Sequence, residues 1–269
     1  MGFSTLQEWL TFQQGINPKE IDLSLERVQS IYSKLQINIP EKNVFLIGGT
    51  NGKGTTTSIL EQLFHKNGYK TGAFTSPHLN RYNERVRISL SHSSDQDWIS
   101  AFKIIEGVRD DIPLTYFEFS TLAAFQILSD FGCDAWFIEV GLGGRLDATN
   151  IIDPSVSILT NIAMDHEEWL GDSIEEIAQE KVGIAKKNKP LIFGDVVAMS
   201  SIEEGCNTRK AELRRKGHEF NAFVDQNQFS FKGANENIKD IVSVLIQDAR
   251  GVTLFGNRIL DKELVDEVV

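Results

Sequence analysis

The stretch Val44-Phe45-Leu46-Ile47-Gly48-Gly49-Thr50-Asn51-Gly52-Lys53-Gly54-Thr55 decides the fold. Its first four residues form a short continuous apolar run that ends in glycines, the pattern of a strand buried in a parallel sheet. Downstream, Ile59, Leu60, Leu63 and Phe64 share one helical face, and Gly68 can end that helix. Between strand and helix lies a glycine-rich turn with a lysine. Such a turn lets backbone N–H groups approach phosphate oxygens, the helix N-terminus adds a favourable dipole, and the lysine neutralises outer phosphates. Lys53 fits that charge role, and Thr55 offers a hydroxyl beside a metal–phosphate cluster. A turn that holds nothing would account for the glycines, but not for strand, loop, lysine and helix in that order. The common G-x4-G-K-[ST] pattern is not met: three residues separate Gly48 from Gly52, and Gly54 stands between Lys53 and Thr55.

The alternation continues outward. Thr71–Phe74, Trp136–Val140, Val156–Thr160 and Leu191–Phe193 read as further strands. Leu122, Phe125 and Leu128 mark a helix closed by Gly132, and another helix begins at Ser173 with a capping box to Glu176. Strands alternating with helices predict an α/β fold, a P-loop-type, mostly parallel sheet flanked by helices. Ligands of such sheets sit at the carboxyl ends of the strands, so residues just after the strands carry the most information. Residues 1–40 read as a helical lead-in packed on the central domain, 41–233 as the ATP-binding domain and 234–269 as a short tail.

The bulk numbers narrow the function. A chain of 269 residues with 41% hydrophobic and 24% charged residues can bury a sizeable core. A net charge of −11 argues against a nucleic-acid surface, though not against a local basic pocket for an anion. Cys133 and Cys206 lack metal-ligand or disulfide-framework spacing. The first residues lack the basic start and apolar run of a signal peptide, and no run approaches the roughly 20 apolar residues that span a bilayer. The expectation is a cytoplasmic protein that binds neither nucleic acid nor membrane.

Several polar residues stand where burial is expected. Glu139 sits in a strand otherwise built of Trp, Phe, Ile and Val; it is either a paired core charge or a metal ligand at the strand's end. His166 follows a strand through the turn Thr160–Asp165, although a lone histidine is more often a satisfied surface or core residue than a ligand. Lys181 shares the buried stripe of Ile174, Ile177, Ala178, Ile184 and Ala185, which is costly unless its amine reaches water, is paired or changes chemical form. Arg145 and Asp147 follow a glycine-rich turn and suit a surface ion pair of little energetic weight. Arg81, Arg85 and Arg87 form a local basic cluster that either faces solvent or orients anions.

The departure from the common phosphate-loop pattern is informative. Gly49-Thr50-Asn51-Gly52-Lys53-Gly54-Thr55 resembles the loop of the Mur ligase superfamily, in particular its folylpolyglutamate synthase and dihydrofolate synthase branch. Further segments resemble that branch in the same order: Thr75-Ser76-Pro77-His78-Leu79, Glu139 through Asn150, Asp165-His166, and Glu180-Lys181-Val182-Gly183-Ile184. The resemblance implies ATP at Asn51, Gly52, Lys53, Gly54 and Thr55, and Mg²⁺ at Ser76, Glu139 and His166. It implies a pterin-bearing substrate at Asp22, Leu23, Ser24, Leu25, Thr115, Leu146, Asp147 and Ala148, and catalytic roles for Lys53, His166 and a carbamylated Lys181.

The activity implied is ATP-dependent ligation of L-glutamate to dihydropteroate and to reduced folates, through an acyl phosphate, by a monomer. Members of the family carry a second α/β domain after the central one, and residues 234–269 show no match to it. The expectation is therefore a Mur-ligase central domain with its C-terminal domain truncated. The alternative is a nucleotide- and pterin-binding remnant without turnover.

Overall fold

The computed structural model describes residues 3–17, 19, 21–225 and 228–233. The tail 234–269 lies outside the described residues. The chain opens with helices α1 (Leu6–Ile16) and α2 (Glu26–Tyr32), then β1 (Val44–Gly48), α3 (Lys53–Lys66) and β2 (Thr71–Phe74). A hairpin follows, β3 (Val86–Ile88) and β4 (Ser91–His92), then α4 (Asp95–Val108), α5 (Tyr116–Asp130), β5 (Ala135–Glu139) and β6 (Val156–Leu159). The later elements are α6 (Glu167–Leu170), α7 (Ile174–Lys181), β7 (Pro190–Phe193), α8 (Met199–Arg209) and β8 (Glu212–Arg215), with a separate hairpin of β9 (Phe220–Asp225) and β10 (Gln228–Gly233).

The main sheet has eight strands in the order β4-β3-β2-β5-β1-β6-β7-β8. From β2 to β8 all pairings are parallel, while β3 and β4 add an antiparallel edge. This is the α/β, mostly parallel sheet expected from the alternation. After β1 the chain passes over the place β5 later fills, and β6 then opens the opposite side. The strand order therefore reverses around β1, and the crevice at its carboxyl end is where such sheets take ligands.

Strand periodicity explains why both sheet faces are covered. Phe45, Ile47, Ala135, Phe137, Val156 and Ile158 point to the α3 side, where Leu60, Leu63 and Phe64 meet them. Phe45 and Phe137 stack there at 5.2 Å. The alternate residues Val44, Leu46, Trp136 and Ile138 join the cluster that contains α4, α5 and α7. Helix α5 is buried from Glu118 to Leu128, so its apolar residues extend beyond the stripe of Leu122, Phe125 and Leu128. Among the described residues, no helix is long and apolar enough to cross a membrane.

The helical lead-in consists of two short helices, α1 and α2. A reciprocal capping box between Thr5 and Glu8 starts α1, and the fully buried Trp9 packs 5.8 Å from Phe102 of α4. At Ser173 only half of the expected box forms: Ser173 Oγ accepts from Glu176 N–H (3.2 Å), but the Glu176 carboxylate takes the N–H of Asp172 (2.9 Å). Helix α4 and the β3–β4 edge were not anticipated. The former was legible, since Ser94 and Asp97 make a capping box ahead of Trp98, Ile99, Phe102 and Ile105.

One member of the arginine cluster holds this edge. Arg87 of β3 reaches Glu61 of α3 through Nε and Nη2, both at 2.7 Å, and the Glu61 side chain is 1% exposed. Removing one partner of a buried pair leaves an uncompensated charge. Arg87→Met is expected to lower the unfolding free energy by about 3–5 kcal/mol, and adding Glu61→Leu to recover most of it, as read by urea unfolding.

Candidate active site

The phosphate loop is held by the end of the neighbouring strand. Gly49 has φ of 134°, and a Cβ there would lie 2.0 Å from Thr160 Oγ1. That hydroxyl sits 2.6 Å from the Asn51 carbonyl and 3.3 Å from the Gly48 carbonyl. Asn161 accepts from Thr50 N–H through its backbone carbonyl (3.0 Å) and from Asn51 N–H through Oδ1 (2.9 Å). The Thr50 hydroxyl closes the contact by accepting from Ala163 N–H at 3.0 Å. Gly52, in a left-handed conformation (φ 81°), starts α3 without a side-chain cap, and no acidic residue occupies the first turn. The first N–H groups and dipole of a fourteen-residue helix are thus left to an incoming anion. Thr160 and Asn161 were missed in the sequence, although a polar pair directly after β6 was the available signal.

Two lysines converge on this loop. Lys53 Nζ donates to the carbonyls of Gly49 (3.0 Å) and Thr50 (3.1 Å). Lys181, at the end of α7 and 2% exposed, also donates to Gly49 O (3.3 Å). Burial first, then the Lys53 cation, pull the Lys181 amine down to about 8, against the opposing pull of Asp165 and Asp147. The lysine on the apolar stripe therefore does not snorkel to water. It is buried beside the phosphate loop.

Glu139 ends β5 opposite Ile47 of β1 and is buried. Its Oε2 accepts from Ser76 N–H at 3.1 Å. Burial pushes its carboxyl above the usual range, opposed by that N–H, Lys53 and Arg87. Gly54, in the first turn of α3, faces this carboxylate: a Cβ there would sit 3.5 and 3.6 Å from its two oxygens. His166 begins α6 in a left-handed conformation (φ 50°) with a half-exposed side chain, its Nε2 3.7 Å from Asp165 Oδ1. Among the described residues, no group of three or more His, Cys, Asp and Glu side chains could hold a metal ion. A buried carboxylate with a neighbouring serine and space left by a glycine nevertheless suits a hard, oxygen-seeking cation that keeps part of its water shell.

Beside these groups lies a cavity of about 320 Å³. It brings together Asp22, Leu23, Ser24, Thr115, Leu146, Asp147 and Ala148 with Ser76 and His166. Leu25 is not among its lining residues; it starts α2. Phe117, Glu118 and Arg85 also line it and were not assigned from the sequence. Thr115 caps α5 in a box with Glu118, and Glu118 in turn pairs with Arg27 (3.0 Å), which also holds Asp22 (3.0 Å). Asp147 does not pair with Arg145, whose partner is Glu180 at 2.8 Å. It is buried and accepts from Leu142 N–H, Thr149 N–H and the Thr149 hydroxyl, while burial raises its carboxyl above the usual range.

The two loop glycines make separable demands. Gly49→Ala forces a Cβ into the Thr160 hydroxyl at an unfavourable φ and is expected to lower stability by more than about 2 kcal/mol. Gly54→Ala meets only ordinary contact distances within a helix and is expected to raise stability by up to about 1 kcal/mol. Parallel urea titrations check both signs.

This geometry can be set beside known proteins. Residues 47–243 match the family of the Mur ligase middle domain. A dihydrofolate synthase/folylpolyglutamate synthase of Escherichia coli (strain K12) is 40% identical over 250 residues, which are 93% of this chain and 59% of that protein. The solved structure of E. coli FolC in complex with DHPP and ADP superposes with a TM-score of 0.86 at 38% identity, over 99% of this chain and 67% of that one. A bifunctional folylpolyglutamate synthase/dihydrofolate synthase with Mn, AMPPNP and L-glutamate bound gives a TM-score of 0.83 at 35% identity, over 98% of this chain and 65% of that one. The chain thus spans little more than half the length of the curated relatives it matches. With the family match extending from the last residues of β1 past the final described strand, the chain belongs to the Mur ligase family through its middle domain.

Proposed function

We propose that the chain serves an ATP-dependent ligase that joins L-glutamate to dihydropteroate and to reduced folates. The observation that carries this reading is the meeting, at the carboxyl ends of β1, β5 and β6, of a lysine-bearing phosphate loop, the buried Glu139 and a cavity for an aromatic acceptor. Relatives whose names carry both synthase activities, and solved relatives with ADP, AMPPNP and Mn, support it.

A carboxylate does not condense with an amine unaided, because oxide is a poor leaving group. ATP with Mg²⁺ would supply the phosphoryl group that turns the acceptor carboxylate into an acyl phosphate, releasing ADP; the glutamate amine would then displace phosphate and lose a proton as the amide forms. The residues' part is positioning and charge. With the Asn51 N–H held by Asn161, the N–H groups of Gly52, Gly54 and Thr55 and the α3 dipole receive the phosphates, and Lys53 leaves the loop carbonyls to offset charge between phosphate and carboxylate. Glu139, Ser76 and His166 would hold the cation, with Glu139 the one anionic donor among them. Asp22, Leu23, Ser24, Leu25, Thr115, Leu146, Asp147 and Ala148 are assigned to the pterin side. Three protein donors already engage Asp147, so its remaining acceptor capacity is limited and its position is set before substrate arrives.

Lys181 is assigned a carbamate. An amine near 8 is neutral often enough at physiological pH to attack CO₂, forming an N–C bond and releasing a proton. The product is an oxygen-donor anion next to the cation site, where an ammonium would repel Lys53. In ¹³C-bicarbonate, a carbamate resonance is expected from the native protein and not from Lys181→Ala; identical spectra would remove the assignment.

The function is tested by incubating the chain with ATP, Mg²⁺, dihydropteroate and glutamate and weighing the product. Dihydrofolate is expected, with Lys53→Met reducing its rate by about 10²-fold or more. Nucleotide binding without product would return the chain to a binding role.

A further inference from the structure

Arg85 is the arginine among the buried residues described, 7% exposed, and it lines the same cavity as Asp147. Its surroundings fix it in place. Nε donates to His78 Nδ1 at 2.9 Å, and its guanidinium carbon lies 5.3 Å from the Tyr82 ring and 5.7 Å from the Tyr116 ring. Backbone bonding reinforces the position, since Thr75 N–H donates to the Arg85 carbonyl at 2.9 Å.

What Arg85 lacks among the described residues is an anion. Arg27, Arg87, Arg109 and Arg215, all partly buried, each have a carboxylate within 3.0 Å. Acids adjacent to Arg85 in sequence or lining the same cavity are engaged elsewhere. Glu84 accepts the N–H groups of Leu79, Asn80 and Arg81, Glu118 takes Arg27 and Thr115 N–H, and Asp147 caps its own loop. A guanidinium offers five N–H donors, and here one is bonded within the protein. A buried cation without a counter-charge is expensive, and its two terminal nitrogens form a planar fork that fits a carboxylate through two parallel bonds.

We propose that Arg85 is the cavity's receptor for a carboxylate, and that the group it takes is the carboxylate of the aromatic acceptor. The identity of that acceptor rests on the function proposed above; the need for a planar oxyanion at Arg85 does not. His78 and the two tyrosine rings act as positioning residues, holding the fork in plane so that the acceptor enters with its acid end oriented. The substrate anion also supplies the counter-charge that the protein omits, which selects acids over neutral analogues of the same shape.

The test compares dihydropteroate with its neutral carboxamide for binding to the native chain, Arg85→Met and Arg85→Lys, by calorimetry. Arg85→Met is expected to weaken the acid by roughly tenfold or more and to leave the amide unchanged. Arg85→Lys, which keeps the charge and loses the fork, should fall between. Nucleotide affinity and melting temperature of each variant report whether the loop and fold survive, and Arg85→Lys carries the comparison if Arg85→Met does not fold. Equal losses for acid and amide, or no loss for either, would overturn the proposal. If the native chain binds no pterin, the proposed function falls and benzoate, followed by saturation-transfer NMR, decides the matter for Arg85. Arg85-dependent benzoate binding then sustains the receptor, and its absence removes it.

Discussion

The side-chain hydroxyl of Thr160 occupies the space where Gly49 has no Cβ, and much of the site depends on that fit. Because β6 lies directly beside β1, the residues leaving β6 are the natural clamp for the loop leaving β1. Thr160 and Asn161 satisfy carbonyls and N–H groups that a turn between two buried elements would otherwise leave without partners. The remaining loop N–H groups at the start of α3 are then oriented without being consumed. A side chain at position 49 would separate loop from strand and undo both effects together.

Around this clamp the protein gathers charges that a hydrophobic sheet does not favour. Glu139, Asp147 and Lys181 are all buried, and burial is the largest influence on each, lifting the two acids and lowering the lysine. Their treatment differs. Asp147 is satisfied by three donors from its own loop and has become part of the backbone's architecture. Glu139 receives one N–H, from Ser76, and faces the bare Cα of Gly54, so most of its acceptor capacity is left without a protein donor. The contrast separates a carboxylate bound into its own loop from one left with acceptor capacity, as the proposed cation role requires.

The parts legible in the sequence were those set by local pattern. An apolar run ending in glycines gave β1, and a lysine at helical spacing among Ile177, Ala178 and Ile184 gave a buried amine, because both signals depend on neighbours within a few residues. Pairings across the fold were not legible. Arg81, Arg85 and Arg87 look alike as a cluster, yet the exposed Arg81 lies 3.9 Å from Asp95, Arg87 locks onto Glu61 and Arg85 turns into the cavity. Nothing local distinguishes them; their partners come from α3, α4 and α5. In the same way Arg145 and Asp147, two residues apart with opposite charges, read as an ion pair, until α7 supplies Glu180 to the first and the loop's own N–H groups claim the second.

The two lysines on the Gly49 carbonyl are the point where these local and distant demands meet. Both bond to one oxygen, so neither can be altered without changing the other's field. As an ammonium, Lys181 opposes Lys53, and that repulsion adds to burial in lowering its pKa. The proposed carbamate would reverse the sign: Lys53 would gain an attractive neighbour and the proposed cation site a donor. Burial on α7 lowers the amine's pKa, and so raises the share of the neutral, nucleophilic form that the proposed carbamylation requires.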